Sequence, residues 1–378
     1  MNQNLRFIDS ISSIKKSEFD KLAQNLGSPF LNYDFLSALE LSKCVTSDNG
    51  WRPMHLTSNE DKKLNGFMPL YVKENSQGEF VFDHSWSYAL NRAGRSYYPK
   101  LLSAIPFTPC ETKKIIGDGA NESFINEVIH FMNEKNIETW HILFPDSSLE
   151  KDLIKNNFIK RSGYKFIWKN KNYLNFEDYL NIFKSRQRKN IKNERKKISQ
   201  LNITFEIKES RNLNKNDWDD FYIFYKNTYQ QRFQAPYLNK EFFRIIHEKR
   251  YSVNPVIFFA IIDNKRIAGS LCFRGKDILY GRHWGSIYNI DSLHFECCYY
   301  QGIEYCIKNK LSSFDPGVQG EHKLRRGFEP QLTSSYHFIK EKDFYGAISD
   351  FCKKERQEIK SYLAACQRYT PFKKEYKI

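Results

Sequence analysis

Three short apolar runs in the second half of the chain, at 256–262, 267–273 and 278–283, leave little choice of fold around them. Asp263-Asn264-Lys265 and Gly275-Lys276-Asp277 separate the runs, and both are turn-forming tripeptides. Strand-length runs joined by connections this tight pair as an antiparallel meander. After Leu293 the period changes. Phe295, Cys298, Tyr299, Gly302, Ile303, Cys306 and Ile307 recur with the spacing of a helix that lays one apolar stripe on a sheet. The same spacing sets Glu296, Tyr300 and Glu304 on a neighbouring stripe at successive i+4 steps.

The pattern occurs twice. In the first half, strand-like segments at 51–58, 64–72 and Phe80-Val81-Phe82 surround the turn Asn59-Glu60-Asp61. Lys63-Leu64-Asn65-Gly66 matches Arg266-Ile267-Ala268-Gly269, and His84-Ser85-Trp86 matches His283-Trp284 at the ends of the third strands. A helix at 17–41, broken at Gly27-Ser28-Pro29 and resuming at 33–41, precedes this first copy, and a helix at 121–135 and a strand at 139–144 complete it. An aromatic helix at 218–231 opens the second copy and a helix at 344–363 closes it. With 378 residues, more than one core normally covers, the chain reads as two copies of one α/β (α+β) module. Each is a mixed, largely antiparallel sheet flanked by helices. The expected boundaries are 1–168, a basic helical connector at 169–200, and 201–378.

That connector carries the most concentrated charge. Phe176, Tyr179, Leu180 and Phe183 have helical spacing, and then Lys184 to Lys197 puts cations on every face. The chain as a whole has a net charge of +15, which points to an anionic partner. Like charges this dense repel one another along a helix, so Arg186, Arg188 and Lys189 are candidate phosphate or tRNA contacts. The eight cysteines show no zinc spacing and read as buried thiols in a reducing compartment. Residues 1–9 lack the apolar centre of a secretory leader, and no window has the length of a membrane span. A cytoplasmic location is expected, free or peripheral at the inner face of the membrane.

No phosphate-binding glycine loop, dinucleotide fingerprint, nucleophile elbow or His-Glu-x-x-His occurs. What remains is a crowd of His, Glu, Tyr, Lys and Arg at 282–328 that can move protons and stabilise an oxyanion without a metal. Acyl transfer to an amine suits it. Glu296, Glu321 or His322 would take the ammonium proton, and Lys323 or Arg325 would face the oxyanion. Substrate contacts are expected from Arg282, His283, Trp284, His294, Tyr300, Glu304 and Gln319 in the second copy. In the first copy they are expected from Asp83, His84, Trp86, Tyr98, Lys100 and Thr108. A protein on the same fold that binds a cell-wall precursor or nucleic acid without reaction is the alternative.

Several segments carry a family resemblance: Ser28-Pro29-Phe30-Leu31, 80–86, Tyr97-Tyr98-Pro99-Lys100-Leu101-Leu102, Pro106-Phe107-Thr108-Pro109, Tyr280-Gly281-Arg282-His283-Trp284-Gly285, 293–305 and 319–328. Together they resemble the predicted N-acyltransferases labelled peptidoglycan biosynthesis/recognition proteins, in the Fem-like branch of the GNAT superfamily. The resemblance implies tandem GNAT-like domains and transfer of an acyl or aminoacyl group to an amine, such as one on a cell-wall precursor. In Fem-type peptidyl transferases a Lys-Phe-Lys-x-Gly-Phe-like segment supplies a cation near the reacting ester carbonyl. The segment from Lys323 to Phe328 is similar, which gives that position to Arg325, with Lys323 nearby. Ordinary GNAT enzymes hold coenzyme A with a basic, glycine-rich loop before the helix that here begins at Leu293, and 286–292 has none. The donor is expected to be aminoacyl-tRNA, or acyl-CoA held in another way.

Overall fold

The computed structural model describes residues 4–117, 120–318 and 320–376. It divides into two compact units, the first running to Gly163 and including Leu332–Ser361, the second spanning Tyr164–Gln331 and resuming at Tyr362. This differs from the boundaries read off the sequence. The stretch at 332–361 belongs with the first unit, and the basic segment is no separate connector but part of the second.

Seven strands precede the first crossing: β1 (Asn4–Ile8), β2 (Trp51–Pro53), β3 (His55–Glu60), β4 (Lys63–Met68), β5 (Tyr71–Lys73), β6 (Lys100–Ser103) and β7 (Thr139–Leu143). Strand β8 (Ile159–Lys169) carries the chain into the second unit. There β9 (Thr204–Glu209), β10 (Pro255–Ile262), β11 (Lys265–Arg274), β12 (Ile278–Ser286) and β13 (Ser313–Asp315) follow, and β14 (Glu329–Ile339) carries the chain back. Within the first unit the order is β2-β5-β6-β7-β14, beside a small sheet β1-β3-β4; within the second it is β8-β13-β12-β11-β10-β9.

The repeat holds, although its third strand was misplaced. In the first unit β5 and β6 are antiparallel, β6 and β7 parallel, and β7 and β14 antiparallel. In the second, β11 and β12 are antiparallel, β12 and β13 parallel, and β13 and β8 antiparallel. A helix links each parallel pair, Asn121–Lys135 in one unit and Leu293–Lys308 in the other, as a parallel connection requires. The equivalent of β12 is therefore β6, not Phe80-Val81-Phe82. Phe80 has φ of 60°, outside strand geometry, and the chain after Asp83 enters the helix His84–Arg92. The architecture is two GNAT-like modules in tandem, and each takes its last strand from the stretch of chain that crosses between the units.

Local chemistry explains the elements. Asn32 caps Tyr33–Leu41, its side chain accepting from Asp34 and Phe35, and Asn214 with Asp217 forms a reciprocal capping box at Lys215–Gln230. That second helix lies directly on β12: a Cβ on Gly285 would come within 2.0 Å of the Phe224 carbonyl oxygen, so only glycine permits the approach. Phe124, Ile125, Val128 and Met132 bury one face of Asn121–Lys135 on Leu101, Trp140 and Ile142 in the first unit. In the second, Tyr299, Tyr300, Ile303, Cys306 and Ile307 pack with Phe258, Leu279 and Phe314. Among the described residues no helix is long and apolar enough to cross a membrane.

Candidate active site in the second unit

The parallel pair β12 and β13 stays in register only from Ile278↔Ser313 to Tyr280↔Asp315. Beyond Asp315 the chain leaves the sheet through Pro316 and Gly317, the latter at φ of 95°. A tight 3-10 turn, Glu321–Arg326, follows between two left-handed glycines, Gly320 (φ 109°) and Gly327 (φ 82°). Gly327 also allows close packing, since a Cβ there would lie 2.0 Å from the Tyr179 hydroxyl. Gln319 lies outside the described residues.

Residues three apart eclipse in such a turn, and Lys323 and Arg326 are the two buried cations it turns inward, at 2% and 6% exposure. The Lys323 ammonium donates to the Gly317 carbonyl oxygen at 2.7 Å and the Pro316 carbonyl oxygen at 3.5 Å. Burial lowers its pKa to about 8; nearby Asp315 opposes the drop and Arg282 adds to it. Asp315 takes the Gly317 amide at 2.9 Å and Lys165 at 3.2 Å, with Arg282 at 3.7 Å. Burial alone would raise this carboxyl, but Arg282 and Lys165 hold it below the usual range. Arg326 donates to both oxygens of Glu194 at 3.1 and 2.6 Å and to the His322 carbonyl oxygen at 2.9 Å, and its guanidinium lies 3.4 Å from the Phe295 ring centre.

His322 and Tyr299 share a hydrogen bond of 2.9 Å between Nε2 and the phenol oxygen. Burial, Arg326 and Lys323 lower the pKa of His322, so the ring is neutral near pH 7. His294 lies edge-on to Tyr299 and Trp284, with ring centres at 5.3 and 5.4 Å, and burial pulls its pKa to about 4. His283 stacks edge-on with Tyr225, and burial takes it to about 3.

Other expected residues sit elsewhere. Glu321 and Arg325 are exposed, so the inward cations are Lys323 and Arg326 and not Arg325. The i+3 spacing of Lys323 and Arg326 was the sequence signal for this. Glu296, Tyr300 and Glu304 do share a stripe, but it meets the basic helix Ser185–Gln200. Arg195 binds Glu296 at 2.9 and 3.1 Å and Glu304 at 2.8 and 3.2 Å, while the Tyr300 hydroxyl donates to Glu194. Glu296, 3% exposed, also accepts from Gln301 at 2.8 Å. Burial raises its pKa against the pull of Arg195 and Gln301. Its helix makes a π-turn over Glu296–Tyr300, a distortion frequent at functional sites. Beside this stripe lies a cleft of about 470 Å³ whose lining includes Phe176, Leu180, Arg195 and Glu296.

The basic helix is itself divided. Toward its C-terminal half, Lys192 pairs with Glu177 at 2.5 Å and Lys197 with Asp291 at 2.7 Å. Arg186 and Lys189 are exposed and Arg188 half-buried, and among the described residues none of these three side chains has an ionic partner. These are the three side chains expected to contact phosphate or tRNA.

In the first unit three of the six expected contacts, Asp83, Tyr98 and Lys100, belong to one hydrogen-bonded network. Lys100, with 0% exposure, donates to Ser76 at 2.7 Å, to Glu79 at 2.8 Å and to Asp83. Tyr98 shares a 2.7 Å hydrogen bond with Ser76, and Tyr97 donates to Asp83 at 2.6 Å. With its three donors used, Lys100 has none to offer a substrate. Thr108 is buried on the Pro106 carbonyl oxygen and Trp86 is 2% exposed, while His84 faces solvent.

The FemAB-like family model, described as peptidoglycan biosynthesis/recognition, matches residues 10–374. Comparison with curated protein sequences gave no match. Among solved structures, FemX is similar at 12% identity and TM-score 0.52, over 89% of this chain and 98% of that one. The C-terminal domain of a putative lysylphosphatidylglycerol synthetase from Agrobacterium fabrum is similar at 10% identity and TM-score 0.54, over 90% and 96%. A conserved protein of unknown function from Bacteroides thetaiotaomicron is similar at 10% identity and TM-score 0.51, over 88% and 99%. These likenesses concern the fold, and it is the match along nearly the whole sequence that decides membership: the chain belongs to the FemAB-like family.

Proposed function

We propose that this protein is an N-acyltransferase whose second module moves an aminoacyl group from tRNA to an amine acceptor. The observation that carries this reading is Lys323, a buried cation whose hydrogen bonds among the described residues go to carbonyl oxygens, at the point where β12 and β13 part. In the reaction the amine nitrogen bonds to the ester carbonyl carbon, the carbonyl oxygen becomes an oxyanion, and the ester C–O bond then breaks. Lys323 faces the oxyanion. Neutral His322, oriented by Tyr299, takes the proton lost by the amine and returns it to the leaving sugar oxygen.

Two features favour tRNA over coenzyme A. Residues 287–292 present no Lys or Arg, and their one charged side chain, Asp291, is acidic. Arg186, Arg188 and Lys189, by contrast, await an anion. FemX and the synthetase domain named above share the fold, in keeping with a transferase reading. Changing all three cations to alanine should weaken tRNA binding about tenfold near 0.1 M salt and flatten the log–log salt slope by about two units; an unchanged slope would remove the tRNA role. The activity is tested with tRNA carrying a labelled amino acid and a peptide amine as acceptor. Movement of the label to the peptide is the expected result. Transfer from acyl-CoA alone would reassign the donor, and no transfer from either donor would leave a binding protein.

A further inference from the structure

A second charged cleft, of about 580 Å³, lies within the first unit, and its lining includes none of the residues so far discussed as functional. One wall is the helix Lys342–Arg368. Tyr345, Ser349, Lys353, Arg356 and Lys360 follow one another at steps of four, four, three and four, so they form a single stripe along it. The neighbouring stripe, Phe344, Ile348 and Cys352, is buried against the body of the unit. The cationic stripe therefore faces the opposite wall, where Ser162 and Ser334 add hydroxyls and Phe158 and Leu332 add apolar surface.

Charges in this cleft do not cancel. Glu150 is the one carboxylate in its lining. It accepts from Lys160, and this hydrogen bond, joined by one from Tyr336, holds its carboxyl below the usual range. Among the described residues the ionic partner of Lys353 is Asp350, at 3.1 Å, with both side chains more than 60% exposed; such a pair contributes little. Arg356 is steered by one bond, from Nη2 to the Lys160 carbonyl oxygen at 2.7 Å, while its buried Nε has no hydrogen-bond partner among the described residues. Lys360 has no ionic partner there either. Three cations thus line about 10 Å of helix, by the rise of 1.5 Å per residue, and with Glu150 and Asp350 offsetting them in part, their remaining repulsion favours an anion from outside.

We propose that this cleft binds a phosphorylated small molecule of nucleotide size, its diphosphate lying along Lys353, Arg356 and Lys360. Several cations spread over this length suit linked phosphates better than one carboxylate. A planar guanidinium beside serine hydroxyls matches the geometry of phosphate oxygens. The apolar wall and the Tyr345 ring leave room for a ring system.

Titration calorimetry on the full chain tests this with three probes: inorganic pyrophosphate, ADP, and vesicles containing phosphatidylglycerol. Saturable binding of pyrophosphate, tighter binding of ADP, and affinities that fall with salt are expected. Lys353→Glu/Lys360→Glu, at two exposed positions that leave the fold intact, should weaken both at least tenfold. Arg356→Lys should weaken both by a smaller factor, and loss of Arg186, Arg188 and Lys189 should leave both unchanged. Absence of binding, binding untouched by the double variant, or binding to vesicles alone would each overturn the proposal.

Discussion

Lys323→Met should lower the rate of amine acylation by about a hundredfold to a thousandfold, the loss typical of removing one donor from a developing oxyanion. The pH profile separates this role from its opposite. With its pKa lowered to about 8, the Lys323 ammonium is largely charged at pH 7 and loses its proton just above. A cation at the oxyanion must be protonated, so the wild-type rate should fall as pH rises through 8. A lysine acting as base would give a rate that climbs through the same point. Lys323→Arg, which keeps its charge at alkaline pH, should retain a reduced rate without the fall near 8. On the acid side His322 must be neutral to take a proton. Because its pKa is lowered, that limb should appear below pH 6.5, leaving a plateau across neutrality. Thermal melting of the methionine variant guards against misreading an unfolded protein as an inactive one. Burial depresses the Lys323 pKa, so its ionised form is disfavoured in the fold below pH 8, and that cost declines as pH rises from 8 toward 10.5. Methionine removes the same cost, which opposes the loss of the two carbonyl contacts.

What the sequence made legible was whatever depends on neighbours in the chain. Asn121–Lys135 was readable to the residue because four buried apolar side chains repeat at helical spacing between a clear start and Asn136, whose left-handed φ of 52° ends the helix. The stripe of Glu296, Tyr300 and Glu304 was equally readable, because it is a matter of helical geometry. Its partner was not: Arg195 is about a hundred positions away, and no periodicity announces a contact that distant. Phe80-Val81-Phe82 failed for a related reason. Three apolar residues in a row suit a strand, but the adjacent acids Glu79 and Asp83 are drawn to Lys100, and this non-local attraction sets the local path. The strand exchange was hidden in the same way, since β14 finds β7 across nearly two hundred residues. Arg325 was chosen over Arg326 by analogy of pattern, whereas a three-residue turn with Lys323 facing inward selects Arg326.

Lys100→Met should be among the most destabilising single changes in the chain, at about 3–5 kcal/mol, because it leaves buried Asp83 without its cation and Glu79 with the more distant Lys73, at 3.9 Å. Glu79 and Asp83 are 4% and 3% exposed, and each already has one oxygen without a hydrogen-bond partner among the described residues. The pH dependence identifies the cause. In the wild type, burial raises the Glu79 pKa to about 7 against Lys100, so its contribution is fully present below its unfolded value of 4.5 and is lost as pH rises through 7. Burial would raise Asp83 too, but Lys100 depresses it, so its contribution is present above 3.8 and lost only in acid. Without Lys100 both groups move toward the protonated form. The deficit of the variant should therefore be largest near pH 8 and shrink toward pH 4, where both acids can fold neutral. Denaturant midpoints at pH 4, 6 and 8 measure it, and a deficit independent of pH would mean that packing, not charge, is what Lys100 supplies. Adding Asp83→Asn should recover part of the loss, since an amide oxygen can still accept from Tyr97 and carries no charge. The two changes would then be non-additive, as directly coupled residues are. Had Lys100 been a substrate contact, as its sequence context suggested, the methionine variant would lose binding while keeping its stability. The saturated ammonium, with Ser76, Glu79 and Asp83 on its three protons, predicts the reverse order of effects.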